Sequence, residues 1–193
     1  SYSGFAAVSN MIGNTSYHSV YRTTNGGSQW NMFYQVTTSS GAGKTGDLMF
    51  VNADTGYYSL RTGNVNYICC YNGISWSQKQ VSSFQNSLYF SNSRSGWSAG
   101  ENGTIYKTTN AGINWLQNYT PNNVNLNAIQ FVNDQTGWAA GEGGLIMKTT
   151  TSGITFVSAI STTIPEVYSL SQNYPNPFNP VTKIKFDISG TTA

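Results

Sequence analysis

The amino-acid sequence predicts an all-β protein built from small antiparallel sheets, and three observations lead to this prediction. Only 8% of the 193 residues are charged, whereas 14% are aromatic. Turn-forming Gly, Asn, Ser and Thr alternate with β-branched and aromatic residues, a combination that favours short strands joined by tight turns. The third observation is a sequence repeat of about forty residues, which is typical of folds that stack similar units. Ala, Glu, Lys and Leu are too scarce for a helical bundle.

The repeat is clearest in two gap-free stretches of equal length, residues 89–115 and 130–156. A third copy, 49–76, is one residue longer, and the first copy is divergent, with an insertion around residues 10–18. Each copy carries a Gly-aromatic pair and ends on an aromatic residue. The pairs are Gly4-Phe5, Gly56-Tyr57, Gly96-Trp97 and Gly137-Trp138, and the closing aromatics are Trp30, Trp76, Trp115 and Phe156.

The pattern within one copy predicts four short strands. In the last copy these begin with an apolar strand at 128–132, followed after a polar turn by a strand at 138–140. A Gly-rich hairpin at 141–144 leads to a third strand at 145–148, and a tight turn precedes the closing aromatic and an outer strand. Four strands per repeat predict β-propeller blades. We place the blades at approximately 1–40, 41–83, 84–122 and 123–164, as part of a larger propeller.

The turns before the closing aromatics resemble a known motif. Residues 23–30 and 108–115 are similar to the Asp-box of BNR and sialidase-type propellers, with Asn25 and Asn110 at the acidic position. The whole repeat more specifically resembles the blades of Ycf48-like proteins. Short polar side chains cap such turns and the aromatics pack between blades. We therefore expect a scaffold role for Asn25, Gly27, Trp30, Gly73, Trp76, Gly96, Trp97, Asn110, Gly112, Trp115, Gly137, Trp138, Gly153 and Phe156.

A change of composition marks a second element at 165–193, because four of the five prolines follow residue 164. Alternating apolar and polar residues at 181–188 predict one half-buried strand, without partner strands of its own. Proline lacks the N–H donor, so we expect no regular ladder in the run before it. This region resembles the start of the Ig-like C-terminal sorting domain of type IX secretion substrates, here truncated. The resemblance implies a secreted or outer-membrane surface protein of a bacterium that meets the type IX machinery through Tyr174, Pro175, Asn176, Pro177, Phe178, Asn179 and Pro180.

Candidate catalytic groups are few. The three arginines, Arg22, Arg61 and Arg94, occupy different places in their repeats and cannot form the arginine triad of a sialidase. His18 is the only histidine, so no Ser/His/Asp set is available. The seven carboxylates mostly recur at turn positions, which argues against a catalytic pair. They are Asp47, Asp54, Glu101, Asp134, Glu142, Glu166 and Asp187.

Other site classes are also disfavoured. The adjacent Cys69 and Cys70 fit two strand positions on opposite faces better than a vicinal disulfide, and without a CxxC or His/Cys cluster we expect no metal or cofactor. A net charge of +2 excludes the basic surface of a nucleic-acid binder. No apolar run approaches 18 residues, so we expect no membrane span.

The sequence thus predicts a non-catalytic binding or scaffold module whose ligand is a protein or a glycan. Arg22, Lys107 and Lys148 share one place in their repeats, just before Thr-Thr, with Ile68 interrupting the series. They are candidate ligand-binding cations, although solvated strand residues that protect sheet edges would look the same. The alternative is a propeller glycoside hydrolase, sialidase- or xyloglucanase-like, whose catalytic residues lie in missing blades.

Overall fold

The computed structural model describes residues 3–39, 43–120, 123–153 and 155, together with the backbone of five strands between 158 and 187. Three four-stranded antiparallel sheets follow one three-stranded sheet, and in each the strands neighbour one another in chain order. The first sheet comprises β1 (Gly4–Ile12), β2 (Thr15–Thr23) and β3 (Asn31–Thr38), and the second comprises β4 (Lys44–Asn52), β5 (Thr55–Thr62), β6 (Val65–Tyr71) and β7 (Trp76–Val81). The third comprises β8 (Gln85–Phe90), β9 (Gly96–Gly100), β10 (Thr104–Thr108) and β11 (Leu116–Tyr119), and the fourth comprises β12 (Leu126–Phe131), β13 (Gly137–Gly141), β14 (Ile146–Thr149) and β15 (Ser158–Ser161).

Consecutive sheets pack against each other through strands at one side of each sheet. β4 contacts β8 and β8 contacts β12; β5 also contacts β8, β9 contacts β12, and β1 contacts β4. No contact of similar extent joins the first sheet to the fourth within the described residues. The four sheets therefore form an arc of propeller blades, with the first strands on its inner side.

The first sheet differs from the four-stranded unit that the repeat predicts. Gly4 pairs with Thr23, as Gly96 pairs with Thr108 in the third sheet, so β1 is the counterpart of the second strands β5, β9 and β13. The expected insertion around residues 10–18 is a longer hairpin, because the ladder continues to the pair Ile12 and Thr15. Gly13 closes this turn with a φ of +60°, a conformation that glycine adopts at little cost.

Aromatic stacks join the sheets at a repeated position. The aromatics that follow Gly4, Gly56 and Gly96 lie parallel to the last Phe in the first strand of the next sheet. Ring centroids are 3.5 Å apart for Phe5 and Phe50, 3.7 Å for Tyr57 and Phe90, and 3.9 Å for Trp97 and Phe131. Three buried clusters lie between these sheets, and burial of large rings is the main stabilising contribution at such junctions.

Glycine is required beneath those Phe rings. Gly56, Gly96 and Gly137 pair directly with the last Phe of the first strand in their own sheet. A Cβ atom at any of the three would lie within 2.3–2.5 Å of that ring. The Gly-aromatic pair therefore combines two packing functions, since the glycine accommodates one ring and the aromatic stacks on another.

The strands of the C-terminal region are paired, so the prediction of an unpaired strand was wrong. A strand at Tyr174–Asn179 pairs antiparallel with Val181–Lys183, and Ser169–Leu170 pairs with Phe186–Asp187. The first pairing shifts register between its two ends, so the proline run does form a ladder, although an irregular one. Proline is tolerated at strand edges, and each strand of a two-stranded ribbon has an unpaired edge.

Among the described residues, no helix is long and apolar enough to cross a membrane.

Candidate functional site

The turns before the closing aromatics are built on two side chains each. In the third sheet Thr108 Oγ1 accepts the backbone N–H of Gly112 at 2.9 Å, and Asn110 Oδ1 accepts that of Asn114 at 2.9 Å. The first sheet repeats this arrangement, with Thr23 accepting from Gly27 and Asn25 from Gln29. Asn thus performs the capping task with an uncharged oxygen.

The two divergent turns keep the capping chemistry with other residues. Thr149 accepts the N–H of Gly153 at 3.1 Å, and Thr151 replaces Asn by accepting that of Thr155 at 3.2 Å. In the second sheet Asn72 Oδ1 accepts two N–H groups, from Ile74 and Ser75, in a shorter turn. Phe156, the expected closing aromatic of the fourth repeat, lies outside the described residues.

Gly112, Gly153 and Trp97 of the predicted motif lie at the junctions between sheets. Gly112 packs against Cys70 and Tyr57 of the preceding sheet, and Gly153 packs against Trp97. The indole Nε1 of Trp97 donates to the carbonyl of Ser152 at 2.8 Å. The box turn of one sheet therefore covers the Gly-aromatic position of the sheet before it.

The three candidate cations lie opposite the aromatic of their own Gly-aromatic pair. Lys107 pairs with Trp97 and Lys148 with Trp138, and each Nζ lies 5.8 or 5.7 Å from the ring centroid. Arg22 pairs with Phe5 in the same way, with Cζ 5.6 Å from the ring centre. Such contacts contribute about 0.5–1 kcal/mol at exposed sites. The cations accordingly belong to the sheet faces, and none of the described contacts joins one of them to another.

Strand pairing also shows that the residue at the cation position of the second sheet is not the one that the sequence predicts. Tyr57 pairs with Cys70, so Cys70 and not Ile68 stands at the cation position of the second sheet. The turn between β6 and β7 is shorter than the equivalent turn between β10 and β11, so counting back from the closing Trp76 selects Ile68 for this position. Lys107 is half-buried and Lys148 is exposed.

The carboxylates serve contacts between and within sheets. Glu101 forms ion pairs with Arg61 and, at 3.4 Å, with Lys44 of the preceding sheet. Partial burial disfavours the charged form of Glu101, but the hydrogen bond and charge of Arg61, with those of Lys44, outweigh it and lower the pKa. Asp47 Oδ2 accepts the N–H of Leu88 in the next sheet at 2.8 Å.

Two further acids also have partners. Glu142 accepts a hydrogen bond from the Asn125 amide at 2.9 Å, and Asp134 accepts one from the Ser91 hydroxyl of the preceding sheet. Each of these acids therefore already has a structural role. A pair of opposed acids that would flank a glycosidic bond is not among the described contacts.

The cysteines and the histidine are buried. Cys69 and Cys70 are free thiols whose pKa burial raises to about 12. His18 is fully buried, its Nδ1 lies 2.9 Å from Ser9 Oγ, and burial lowers its pKa. No group of three or more metal-ligating side chains occurs in the part of the chain that the structure describes.

An open groove of about 630 Å³ lies between the third and fourth sheets. It is at the end of the sheets that carries the box turns, because the N–H of Ser152 in the box turn donates to the carbonyl of Gln135 in the groove wall. Val132 is 67% exposed there. The lining residues are Tyr89, Ser91, Val132, Asn133, Asp134, Gln135 and Thr136.

Sequence reasoning missed three contributors to these junctions. The last Phe of each first strand was visible as a repeated residue, but its stacking partner lies in another repeat. The Thr at the start of each turn was part of the repeat, but sequence reasoning did not identify its hydroxyl as the acceptor of the glycine N–H. Arg61 and Glu101 are 40 positions apart, and only their positions at neighbouring hairpins could have indicated the pair.

Comparison with known proteins supports the family resemblance over part of the chain. A sequence model described as photosynthesis system II assembly factor YCF48 matches residues 71–150. This span includes the Gly-aromatic pairs of the third and fourth sheets and the box turn at Asn110. A search of curated proteins found no significant match.

Solved structures are similar at low sequence identity. YCF48 bound to D1 peptide is 21% identical, over 60% of this chain and 41% of that one, with a TM-score of 0.49. YCF48 from Cyanidioschyzon merolae is 16% identical, over 75% and 50%, with a TM-score of 0.49. An ancestral GH74 enzyme is 15% identical, over 82% and 24%, with a TM-score of 0.52. This chain spans half or less of each of these structures. The likeness to the ancestral GH74 enzyme, together with the sheets described above, confirms the predicted β-propeller fold.

Proposed function

We propose that the chain is a non-catalytic binding module and that the groove between the third and fourth sheets receives a segment of a partner protein. The observation that carries this proposal is the groove itself. An exposed apolar side chain, Val132, lines it together with Tyr89 and with the polar residues Asn133 and Gln135. The groove is mostly polar, and polar groups that surround an apolar side chain can fix the orientation of a bound ligand.

The engaged carboxylates support binding over catalysis. A glycosidase needs one acid that donates a proton and a second that acts as base or nucleophile. Glu101 is held ionised by Arg61 and Lys44, which is the opposite of the raised pKa that a general acid requires. The YCF48 match at 71–150 is also to an assembly factor, and one similar structure is that of YCF48 with a bound peptide. We transfer to this chain only the class of ligand, a polypeptide.

Selection of peptides from a random display library tests the groove. We expect selected peptides to bind the folded chain, and Val132→Lys to weaken binding because it replaces the exposed apolar side chain of the groove with a charge. Ile113→Lys is the matched control, since Ile113 is 69% exposed on a different turn. Binding that survives Val132→Lys, or that Ile113→Lys weakens equally, would contradict the proposed site.

An activity assay tests the non-catalytic part. We expect no hydrolysis of sialosides or β-glucans by the chain. Turnover that disappears on Glu101→Gln or Glu142→Gln would show that these acids are catalytic and would contradict the proposal.

We further propose that residues 165–193 begin a type IX sorting domain and that the protein is exported to the bacterial surface or medium. The sequence of Tyr174 to Pro180 supports this proposal. Replacing that run with Gly and Ser in the gene of the source bacterium should leave the protein in the periplasm. Unchanged export, measured by immunoblotting of medium and cell fractions, would refute the assignment.

A further inference from the structure

The groove between the third and fourth sheets carries one formal charge. Among the described residues that line it, Asp134 is the only acid, and none is Lys, Arg or His. The groove therefore presents a negative charge to whatever enters it. Charges of opposite sign across an interface are a main source of specificity in protein recognition, so the sign of this charge bears on the identity of the ligand.

Hydrogen bonds hold Asp134 in a defined position. Asn133 Oδ1 accepts the backbone N–H of Thr136 at 2.8 Å, which fixes the turn that carries the acid. The Asp134 carbonyl accepts the hydroxyl of Ser152, and its Oδ1 accepts the hydroxyl of Ser91 from the opposite wall of the groove. A carboxylate that is fixed before binding loses little conformational entropy when a ligand pairs with it.

One oxygen of this carboxylate is available to a ligand. The Ser91 hydroxyl occupies Oδ1 of Asp134, and none of the described contacts involves Oδ2. The ion pairs of the described residues join Glu101 to Lys44 and Arg61, at the hairpin end of the sheets and not at the groove. Asp134 thus retains its charge without a described cation beside it, and its Oδ2 can accept a charge-assisted hydrogen bond.

Two other lining residues indicate what surrounds the positive group of a ligand. Tyr89 stands two positions before Ser91 and lines the same groove, and an aromatic ring attracts ammonium and guanidinium groups. Val132 stands two positions before Asp134 and is 67% exposed, so an apolar side chain of the ligand would remove its surface from water. The groove combines a carboxylate, an aromatic ring and one apolar side chain.

Given that the groove receives a polypeptide segment, as proposed above, we propose that this segment carries an Arg or Lys whose cationic group pairs with Asp134. An apolar residue close to the basic one covers Val132. Charge complementarity of this kind selects among partners and raises the rate of association more than it raises affinity. The partner is therefore a protein with an exposed basic segment.

Parallel selections from one random peptide display library, against the wild-type chain and against Asp134→Asn, test this specificity. We expect Arg or Lys to be enriched at one position among peptides selected on the wild-type chain, and not among those selected on the variant. The substitution removes the charge but keeps an acceptor oxygen for the Ser91 hydroxyl, so the urea unfolding curve should stay close to that of the wild type.

Calorimetry then measures the pair with the strongest wild-type peptide, synthesised with an acetylated N-terminus. The affinity should fall about fivefold on Asp134→Asn, and equally when the basic residue of the peptide is replaced with Gln, which is the upper end of the range for one exposed ion pair. The two changes together should cost little more than either alone, because both remove the same pair. In about 1 M salt, where the Debye length is about 3 Å, the difference between the chains should largely disappear.

Asp54→Asn is the matched control. Asp54 is exposed in the corresponding turn of the second sheet and is not among the residues that line the groove. Its substitution changes the net charge of the chain by the same amount and should leave peptide binding unchanged. Equal weakening by Asp54→Asn would show that only the overall charge of the chain matters and would overturn the proposal.

Further outcomes distinguish the specificity of the groove from its use as a binding site. Peptides that lose binding on Val132→Lys but lack a basic residue, or that bind Asp134→Asn equally well, would overturn the pairing with Asp134 and leave the groove as a binding site. So would binding that acetylation of the peptide N-terminus abolishes, because the cation would then be a terminal ammonium. Absence of any peptide whose binding depends on Val132 would overturn both the pairing and the proposed function.

Discussion

Replacing Trp97 with Ala should cost the protein about 3–5 kcal/mol of unfolding free energy. Trp97 is fully buried, stacks on Phe131 with centroids 3.9 Å apart, and donates to the Ser152 carbonyl at 2.8 Å. Removal of a buried Trp side chain leaves a cavity and loses its transfer free energy, which together account for this magnitude. The substitution also leaves the Ser152 carbonyl without its partner.

The matched control is Trp138→Ala, at the same position of the fourth sheet. Trp138 is only half-buried, and its described contact is with Lys148, so its loss should cost about 1 kcal/mol. Trp97→Phe keeps the stacking but not the N–H donor and should cost about 1–2 kcal/mol.

Urea unfolding followed by far-ultraviolet circular dichroism measures all three variants. The expected order of loss is Trp97→Ala, then Trp97→Phe, then Trp138→Ala. Equal losses for the two Ala variants would refute the inference that burial between consecutive sheets, and not the residue type, determines the contribution of this position.

Three further predictions concern the junctions and turns. Glu101→Gln should destabilise the protein by about 1 kcal/mol at neutral pH. Because the pKa of Glu101 is lower in the folded state, this stability difference is present above the unfolded-state pKa of 4.5 and should vanish as the pH falls through the folded-state pKa. Urea titrations at several pH values measure it. Asn110→Ala should cost about 1 kcal/mol through loss of the cap on Asn114, whereas Asn110→Asp keeps an acceptor and should be nearly neutral by the same measurement. Cys69 and Cys70 should resist alkylation by iodoacetamide in the native protein, because burial raises the pKa of each to about 12; rapid native-state labelling, by mass spectrometry, would contradict their burial.

Most local features of the fold could be predicted from the sequence. The Gly-aromatic pairs, the Gly-rich hairpins and the box turns depend on contacts within a few residues, so repeated spacing reveals them. The choice of Asn25 and Asn110 as turn caps follows from the same local chemistry. The prediction of an unpaired C-terminal strand was wrong because the pairing of Tyr174–Asn179 with Val181–Lys183 tolerates proline at a ribbon edge.

The candidate site residues could be predicted only in part. Sequence spacing grouped Arg22, Lys107 and Lys148, and their equivalence in register agrees with that grouping, but spacing chose Ile68 where pairing selects Cys70. The shorter turn before Trp76 shifts the position that is counted back from the closing aromatic, whereas strand pairing does not depend on the length of that turn. Whether any of these residues binds a ligand stays a prediction.

The sequence by itself determined that this chain consists of β repeats and where most of their turns lie, because strand alternation and turn chemistry are short-range properties. Only the tertiary structure decided which side chains of different repeats contact each other, such as Phe5 with Phe50 and Arg61 with Glu101. Those contacts join residues about forty or more positions apart, and their partners depend on how the sheets are arranged about the arc, for which no local pattern carries information.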